Sequence, residues 1–188
     1  MTVKEIIKLS AEMAGESEVV NLLSDGAPND ITYAKKVKDL LLRCNNLIIE
    51  EIATEYFPQK HLEKITAVED GKIYFSMLSK SPFKILRVFA PNGQKVPYKL
   101  VNDYILVNRD SVSVEYLYRI PAEKEDDESY FSNTQIGPYV LAYGICAQYL
   151  TERGRISESE IFQEKYMNGL RGRLASKGNI QIPKRRWA

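Results

Sequence analysis

Residues Thr134 to Thr151 carry no charged side chain. A surface helix shows a polar face to water, so a helical stretch without one has to be enclosed by the rest of the chain. The run approaches membrane-spanning length, but Gln135, Pro138 and Gln148 interrupt it and its continuous apolar part is short, which leaves the core of a folded body as its place. The next segment, Glu158 to about Ser176, is amphipathic: Phe162, Tyr166, Leu170 and Leu174 recur at helical spacing and predict a stripe against the uncharged helix. Arg153-Gly154-Arg155 supplies the turn between them, making an antiparallel hairpin. Beyond Lys177-Gly178 the chain has cations and one tryptophan, in Ile180-Gln181-Ile182-Pro183-Lys184-Arg185-Arg186-Trp187-Ala188, but nothing to hold a core together, so an extended arm is expected.

The chain before this hairpin changes period twice. Val3 to Met13 and Glu16 to Leu23 read as short helices, the first stopped by Gly15. Pro28-Asn29-Asp30 offers a capping signal for a longer helix to about Tyr56, with Ala34, Val37, Leu41, Cys44, Ile48 and Ile52 at steps of three and four. From Leu62 the pattern alternates. Ile65 to Val68 and Lys72 to Phe75, joined by Glu69-Asp70-Gly71, predict two strands in a tight hairpin. Phe83 to Phe89 and Lys95 to Leu100 flank Pro91-Asn92-Gly93, where an Asn-Gly step suits a type I′ turn. Tyr104 to Val107 follows, and then Val112, Val114, Tyr116 and Tyr118 alternate with Ser113 and Glu115. About six short antiparallel strands result, a small sheet or barrel. Pro121 closes it, and Glu123 to Glu128 reads as a solvated acidic connection. The fold class is therefore α+β: a helical body in residues 1–60 and 122–178, an antiparallel β domain inserted at 61–121, and an arm at 179–188.

A hydrophobic fraction of 44% over 188 residues supports a real core and excludes disorder of the whole chain. Lys and Arg number 26 against 25 Asp and Glu, so electrostatic arguments rest on distribution. From Arg171 onward there are six cations and no acid. The two cysteines, Cys44 and Cys146, each sit in an apolar helical pattern and read as buried reduced thiols. The N-terminus lacks a basic region followed by an apolar core, so a soluble intracellular product is expected.

Groups for catalysis are scarce. The single histidine, His61, falls in the helix-to-strand connection with no Cys or His partner at metal-ligand spacing and reads as a surface loop residue. There is no nucleophile elbow, and Gly169, Gly172 and Gly178 do not form a phosphate-cradling loop. Consecutive carboxylates without ligand spacing are ordinarily a hydrated loop. No catalytic, cofactor or metal residue is assigned, and a non-enzymatic protein is expected. Nucleic-acid binding is the alternative, through the basic C-terminal tail, with Tyr74, Tyr104, Tyr116 and Tyr118 on strands as in a stacking platform. Tyrosine is also an ordinary residue of any half-buried sheet. Trp187 between cations and a terminus has the composition of an interface anchor.

Three stretches, Asp70 to Asn108, Val112 to Ser129 and Tyr139 to Lys177, resemble the head-to-tail connector or adaptor proteins of tailed bacteriophages, the group with the tail tubular A proteins and head-completion rings. The similarity lies in Leu86-Arg87-Val88 before a Gly hairpin, in a Val-x-Val-x-Tyr-x-Tyr-x-x-Pro strand at Val112 to Pro121, and in a small-residue helix followed by one bearing Tyr and Leu. It implies a virion protein assembled in the host cytoplasm: a ring of twelve subunits beneath the portal, with genomic DNA passing through without sequence-specific binding, and nozzle or tail-tube proteins attached below. Such a ring needs heterologous contacts on both flanks. On this analogy Ile182, Pro183, Lys184, Arg185, Arg186 and Trp187 form the portal-binding arm, with Trp187 in a pocket and the cations on acidic portal loops. Tyr139, Tyr143, Tyr166, Leu170, Arg171 and Arg173 are the candidates for the subunit interface. No cofactor and no membrane are implied.

Overall fold

A computed structural model describes residues 1–66, 69–131 and 136–175. The elements run in the order α1 (Val3–Ala14), α2 (Ser17–Leu23), α3 (Ile31–Glu51) continuing into a π-helical turn (Ile52–Tyr56), β1 (Lys60–Thr66), β2 (Lys72–Tyr74), β3 (Pro82–Phe89), β4 (Tyr98–Val101), β5 (Tyr104–Val107), β6 (Ser111–Tyr118), α4 (Pro138–Glu152) and α5 (Ile156–Ala175). The fold is α+β. It divides into two compact units, one from Met1 to Ile52 and from Pro121 onward, the other from Ala53 to Ile120. The expected arm, residues 179–188, lies outside the described residues.

The helical unit is built around α4. Its uncharged sequence leaves no face that water prefers, and Leu141, Ala142, Ile145, Cys146, Tyr149 and Leu150 are all buried, with α1, α3 and α5 packed around it. The helix begins at Pro138, later than the sequence pattern suggests; Gly137 is the N-cap and the fixed φ of Pro138 suits the first helical position. Thr134 and Gln135 lie outside the described residues. Two glycines let α4 and α5 approach closely: a Cβ on Gly144 would stand 3.0 Å from the Tyr166 ring, and one on Gly169 would stand 2.7 Å from Val140. Tyr166 and Leu170 of the expected stripe are fully buried, while the side chain of Leu174 lies outside the described residues. At the other end of the unit, α1 opens on a capping box in which Thr2 and Glu5 satisfy each other's backbone N–H, and closes on Gly15 at φ 78°. Asp30 caps α3 by accepting from the Tyr33 N–H at 2.9 Å.

In the β unit two three-stranded antiparallel sheets, ordered β1-β6-β3 and β2-β5-β4, share one core of Ile65, Ile73, Val88, Ile105, Val107, Val112, Val114, Tyr116 and Tyr118. There is no closed barrel. The hairpin expected between Ile65 and Phe75 does not form, because the chain leaves β1 for the other sheet: β1 pairs over seven residues with β6, whereas β2 offers three residues and pairs with β5. Ala67 and Val68, expected in the first of those strands, lie outside the described residues. Gly71, at φ 69°, makes the crossing possible, since a Cβ there would come within 2.2 Å of the Val107 carbonyl oxygen. The Asn-Gly turn is present but of another type. Ala90 C=O accepts from the Gly93 N–H at 2.9 Å, so Pro91 and Asn92 are the central residues of a type I turn. Gly93 follows in the left-handed region at φ 81° as a bulge, and Asn92 keeps a negative φ.

Candidate functional site

The six residues expected at a subunit interface separate into two groups. Tyr139 is 59% exposed on α4, and Arg171 and Arg173 are exposed near the end of α5. Tyr143 is half-buried against Phe162, with ring centroids 6.3 Å apart, and Lys165 Nζ lies over both rings at 5.6 and 5.3 Å. Tyr166 and Leu170 are the correction: they are fully buried within the helical unit and have no surface to offer a neighbour. Their spacing marks the α5 face that seals α4. The second cluster of expected residues, Ile182, Pro183, Lys184, Arg185, Arg186 and Trp187, lies outside the described residues. On the outer side of α4 and α5 the side chains of Tyr139, Ile156 and Ile161 stay largely open to solvent.

Buried polar groups tie together the parts of the helical unit. Glu123, expected in a solvated loop, is buried instead. Its carboxylate accepts from Asn45 Nδ2 at 2.9 Å, from the Tyr130 N–H at 2.6 Å and from the Ser129 hydroxyl at 3.3 Å, while its backbone exchanges bonds with the Asn46 amide at 2.7 and 3.2 Å. The rest of the acidic run stays at the surface but is tied down through its backbone. Asp127 and Glu125 carbonyls accept from the Val3 and Lys4 N–H groups at 2.9 Å each, covering donors at the start of α1 that have no partner within the helix, and Lys38 pairs with Glu125. Composition marks such a run as hydrated; the buried asparagines of α3 change the outcome by offering Glu123 enough donors to leave water.

A second carboxylate, Glu16, accepts from the hydroxyls of Tyr33 and Tyr149. Burial first, and then the bond to Glu16, push both tyrosine hydroxyls above their ordinary range, Tyr149 further than Tyr33. At the α4–α5 turn Arg155 forks onto Glu158 and also donates to the Ala14 carbonyl at 3.1 Å, which ties the end of α1 to the hairpin. Cys44 and Cys146 are free and buried, and burial pushes each thiol up to about 12, so neither is a nucleophile at neutral pH.

His61 is a strand residue rather than a loop residue, standing edge-on to the rings of Tyr116 and Tyr118. Its Nε2 is 3.4 Å from the Ser79 hydroxyl, which raises the question of a nucleophile and base. The geometry answers otherwise. Ser79 gives its hydroxyl proton to Glu63 at 2.9 Å, and Glu63 also accepts from the Ser79 N–H at 2.9 Å and from Tyr116 at 2.9 Å. Burial pushes the Glu63 carboxyl up, but these hydrogen bonds and nearby His61 outweigh it and hold the group below its ordinary range. An ionised carboxylate so engaged anchors the chain around Ser79. Among the described residues no three His, Cys, Asp or Glu side chains gather as a metal site would require, and no helix is long and apolar enough to cross a membrane.

Of the strand tyrosines, Tyr116 and Tyr118 are buried and unavailable for stacking. Tyr74 and Tyr104 pair on the outer face of β2 and β5, their ring centroids 5.4 Å apart. No protein-family model matches the chain, and a search of curated proteins finds no match.

Proposed function

We propose that the chain is a non-enzymatic structural protein of a tailed-phage virion, a head-to-tail adaptor that forms a ring of twelve beneath the portal and joins the capsid vertex to tail proteins while DNA passes through its centre. The observation that carries this reading is the order of its parts. A helical unit assembled from both ends of the chain, an antiparallel β unit inserted in it, a closing helix pair and a cationic tail with one tryptophan follow one another as the connector resemblance implies. Tyr139, Ile156 and Ile161 support it as apolar side chains on the helix pair that the chain's own fold does not cover. With Arg171 and Arg173, exposed near the other end of α5, they replace Tyr166 and Leu170 in the flank assigned to a neighbouring subunit.

Electron microscopy of the purified protein with and without portal tests the assignment: rings coaxial with the portal are expected, and a protein that neither forms rings nor binds the portal overturns it. The arm is tested separately. Removing residues 182–188 should leave a folded protein that no longer joins portal-bearing capsids; unimpaired joining rejects the arm's role. Trp187→Ala should weaken attachment more than Lys184→Ala, because a desolvated aromatic anchor outweighs a rim charge.

A further inference from the structure

The sheet β2-β5-β4 has one face in the core and one in water, and the register specifies what the outer face carries. Opposed residues of an antiparallel pair share a face. Lys72 opposes Leu106, which opposes Lys99, forming one row across the three strands; Tyr74 opposes Tyr104, which opposes Val101, forming the next. The alternate residues Ile73, Ile105 and Val107 point inward and are buried. Tyr74, at the end of β2, is 41% exposed, and Leu106, within β5, is 39% exposed. The tyrosine rings are tilted by 54° to each other, and Lys72 Nζ lies 6.0 Å from the Tyr104 centroid. This face holds two lysines and no carboxylate, and no ion pair among the described residues occupies either lysine. Beyond the lysine row a depression of about 490 Å³ is lined by Lys99, Leu106 and Arg109 and also by Asp70 and Asp110, so the cationic character belongs to the lysine row rather than to the depression. Asp103 stands in the β4–β5 turn beyond the other end.

We propose that this outer face binds single-stranded nucleic acid. Two adjacent aromatic rings, Tyr74 exposed and Tyr104 half-buried beside it, offer stacking surfaces for successive bases, which only an unpaired strand can present, and the lysine row alongside supplies cations for its phosphates. A duplex keeps its base faces covered and would meet the lysines alone. Strand alternation and cross-strand pairing set the cations and aromatics in neighbouring rows: Lys72 stands two residues before Tyr74 on β2, and Lys99 joins its row through Leu106. The assignment stands apart from the adaptor reading, and either one can fail without the other.

The test is fluorescence anisotropy with the full chain, using a labelled oligothymidylate of about 16 nucleotides and, in parallel, a duplex of the same length. The single strand should bind, and more tightly than the duplex. Tyr74→Ala with Tyr104→Ala should weaken single-strand binding by about ten-fold or more, from the loss of base stacking. Tyr74→Phe with Tyr104→Phe, which keeps both rings, should restore most of it. Lys72→Gln with Lys99→Gln should flatten the salt dependence by about 1.4 in log–log slope, two phosphate contacts' worth for a single strand. Thermal melting of each variant checks that the sheet still folds, which is expected because these residues lie on its outer face. Absence of binding by the unaltered protein, binding indifferent to the paired Tyr→Ala change, preference for the duplex, or binding lost on removing residues 182–188 but not on changing the tyrosines would each overturn the proposal.

Discussion

The helical unit and the β unit bury different kinds of side chain. Ser10, Asn45, Glu123, Ser129 and Ser159, the buried polar and charged residues among those described, all belong to the helical unit. The β unit buries aliphatics and aromatics, and the one polar atom it draws inward, the Tyr116 hydroxyl, is met by Glu63. The difference follows from how each unit is joined. The β unit is one continuous stretch in which the alternation of inward and outward residues fixes the strand register, so a hydrophobic core suffices. The helical unit has to bring Met1 to Ile52 together with residues that follow the whole insertion. Apolar burial alone is non-directional and would tolerate several alignments of those two parts. Glu123 on Asn45 and Asn46, and the Tyr149 hydroxyl on Glu16, admit one alignment each, because a shifted register leaves a polar group without its partner.

Three substitutions test that contrast. Tyr166→Ala should have the largest effect, since it empties the space between α5 and the Gly144 notch of α4; a loss of about 3–5 kcal/mol is expected in urea denaturation followed by the helical circular dichroism signal. A loss below about 1 kcal/mol would mean that α5 contributes little to the unit. Glu123→Ala comes next, at about 2–3 kcal/mol, because it strips partners from the Asn45 amide and the Tyr130 N–H. Hydrogen exchange should then rise at the start of α1 and around Tyr130 and leave the β6 amides protected; an equal rise in β6 would refute the division of roles between the units. Glu63→Gln should cost least, about 1 kcal/mol at neutral pH, in the β unit. Its sign with pH is fixed by the depressed carboxyl. The stabilisation is present above the ordinary carboxyl range, near pH 4.3, and is lost as pH falls through the lower folded value. The unaltered protein should therefore lose its advantage over Glu63→Gln in acid, and a difference that persists undiminished there would exclude the charge as its source.

The sequence showed some of this directly and hid the rest for physical reasons. An uncharged run from Thr134 to Thr151 predicts a central helix without knowledge of its neighbours, because every face of it avoids water. Alternation from Val112 to Tyr118 predicts a strand and its inner face. Pairing partners are another matter. The stretch on either side of Glu69-Asp70-Gly71 looks like a hairpin locally, and only competition with β5 and β6 sends β1 and β2 to different sheets. Glu123 reads as solvated until two asparagines some 77 residues away are known to face it. Tyr166 and Leu170 are correctly legible as a helix stripe, but spacing does not say whether a stripe meets the same chain or another copy. Gly144 and Gly169 gave a faint signal, as glycines inside otherwise good helices, which in a packed hairpin marks a close approach.

The insertion also orders events in time. As the chain leaves the ribosome, α1, α2 and α3 appear first, carrying apolar faces made for a helix that does not yet exist. The β unit emerges next and contains every strand partner it needs. Only after about a hundred further residues, some 5–20 seconds at ordinary rates of synthesis, does α4 arrive to cover Ile6, Leu41 and Ile48. The folded insertion then brings its two ends within reach, shortening the loop that has to close. We therefore expect nascent chains halted after residue 120 to carry a protease-resistant β unit and a protease-sensitive N-terminal segment; resistance of both would show that the first three helices fold without their core. Until α4 is made, those helices are clients for whatever shields apolar surface during synthesis.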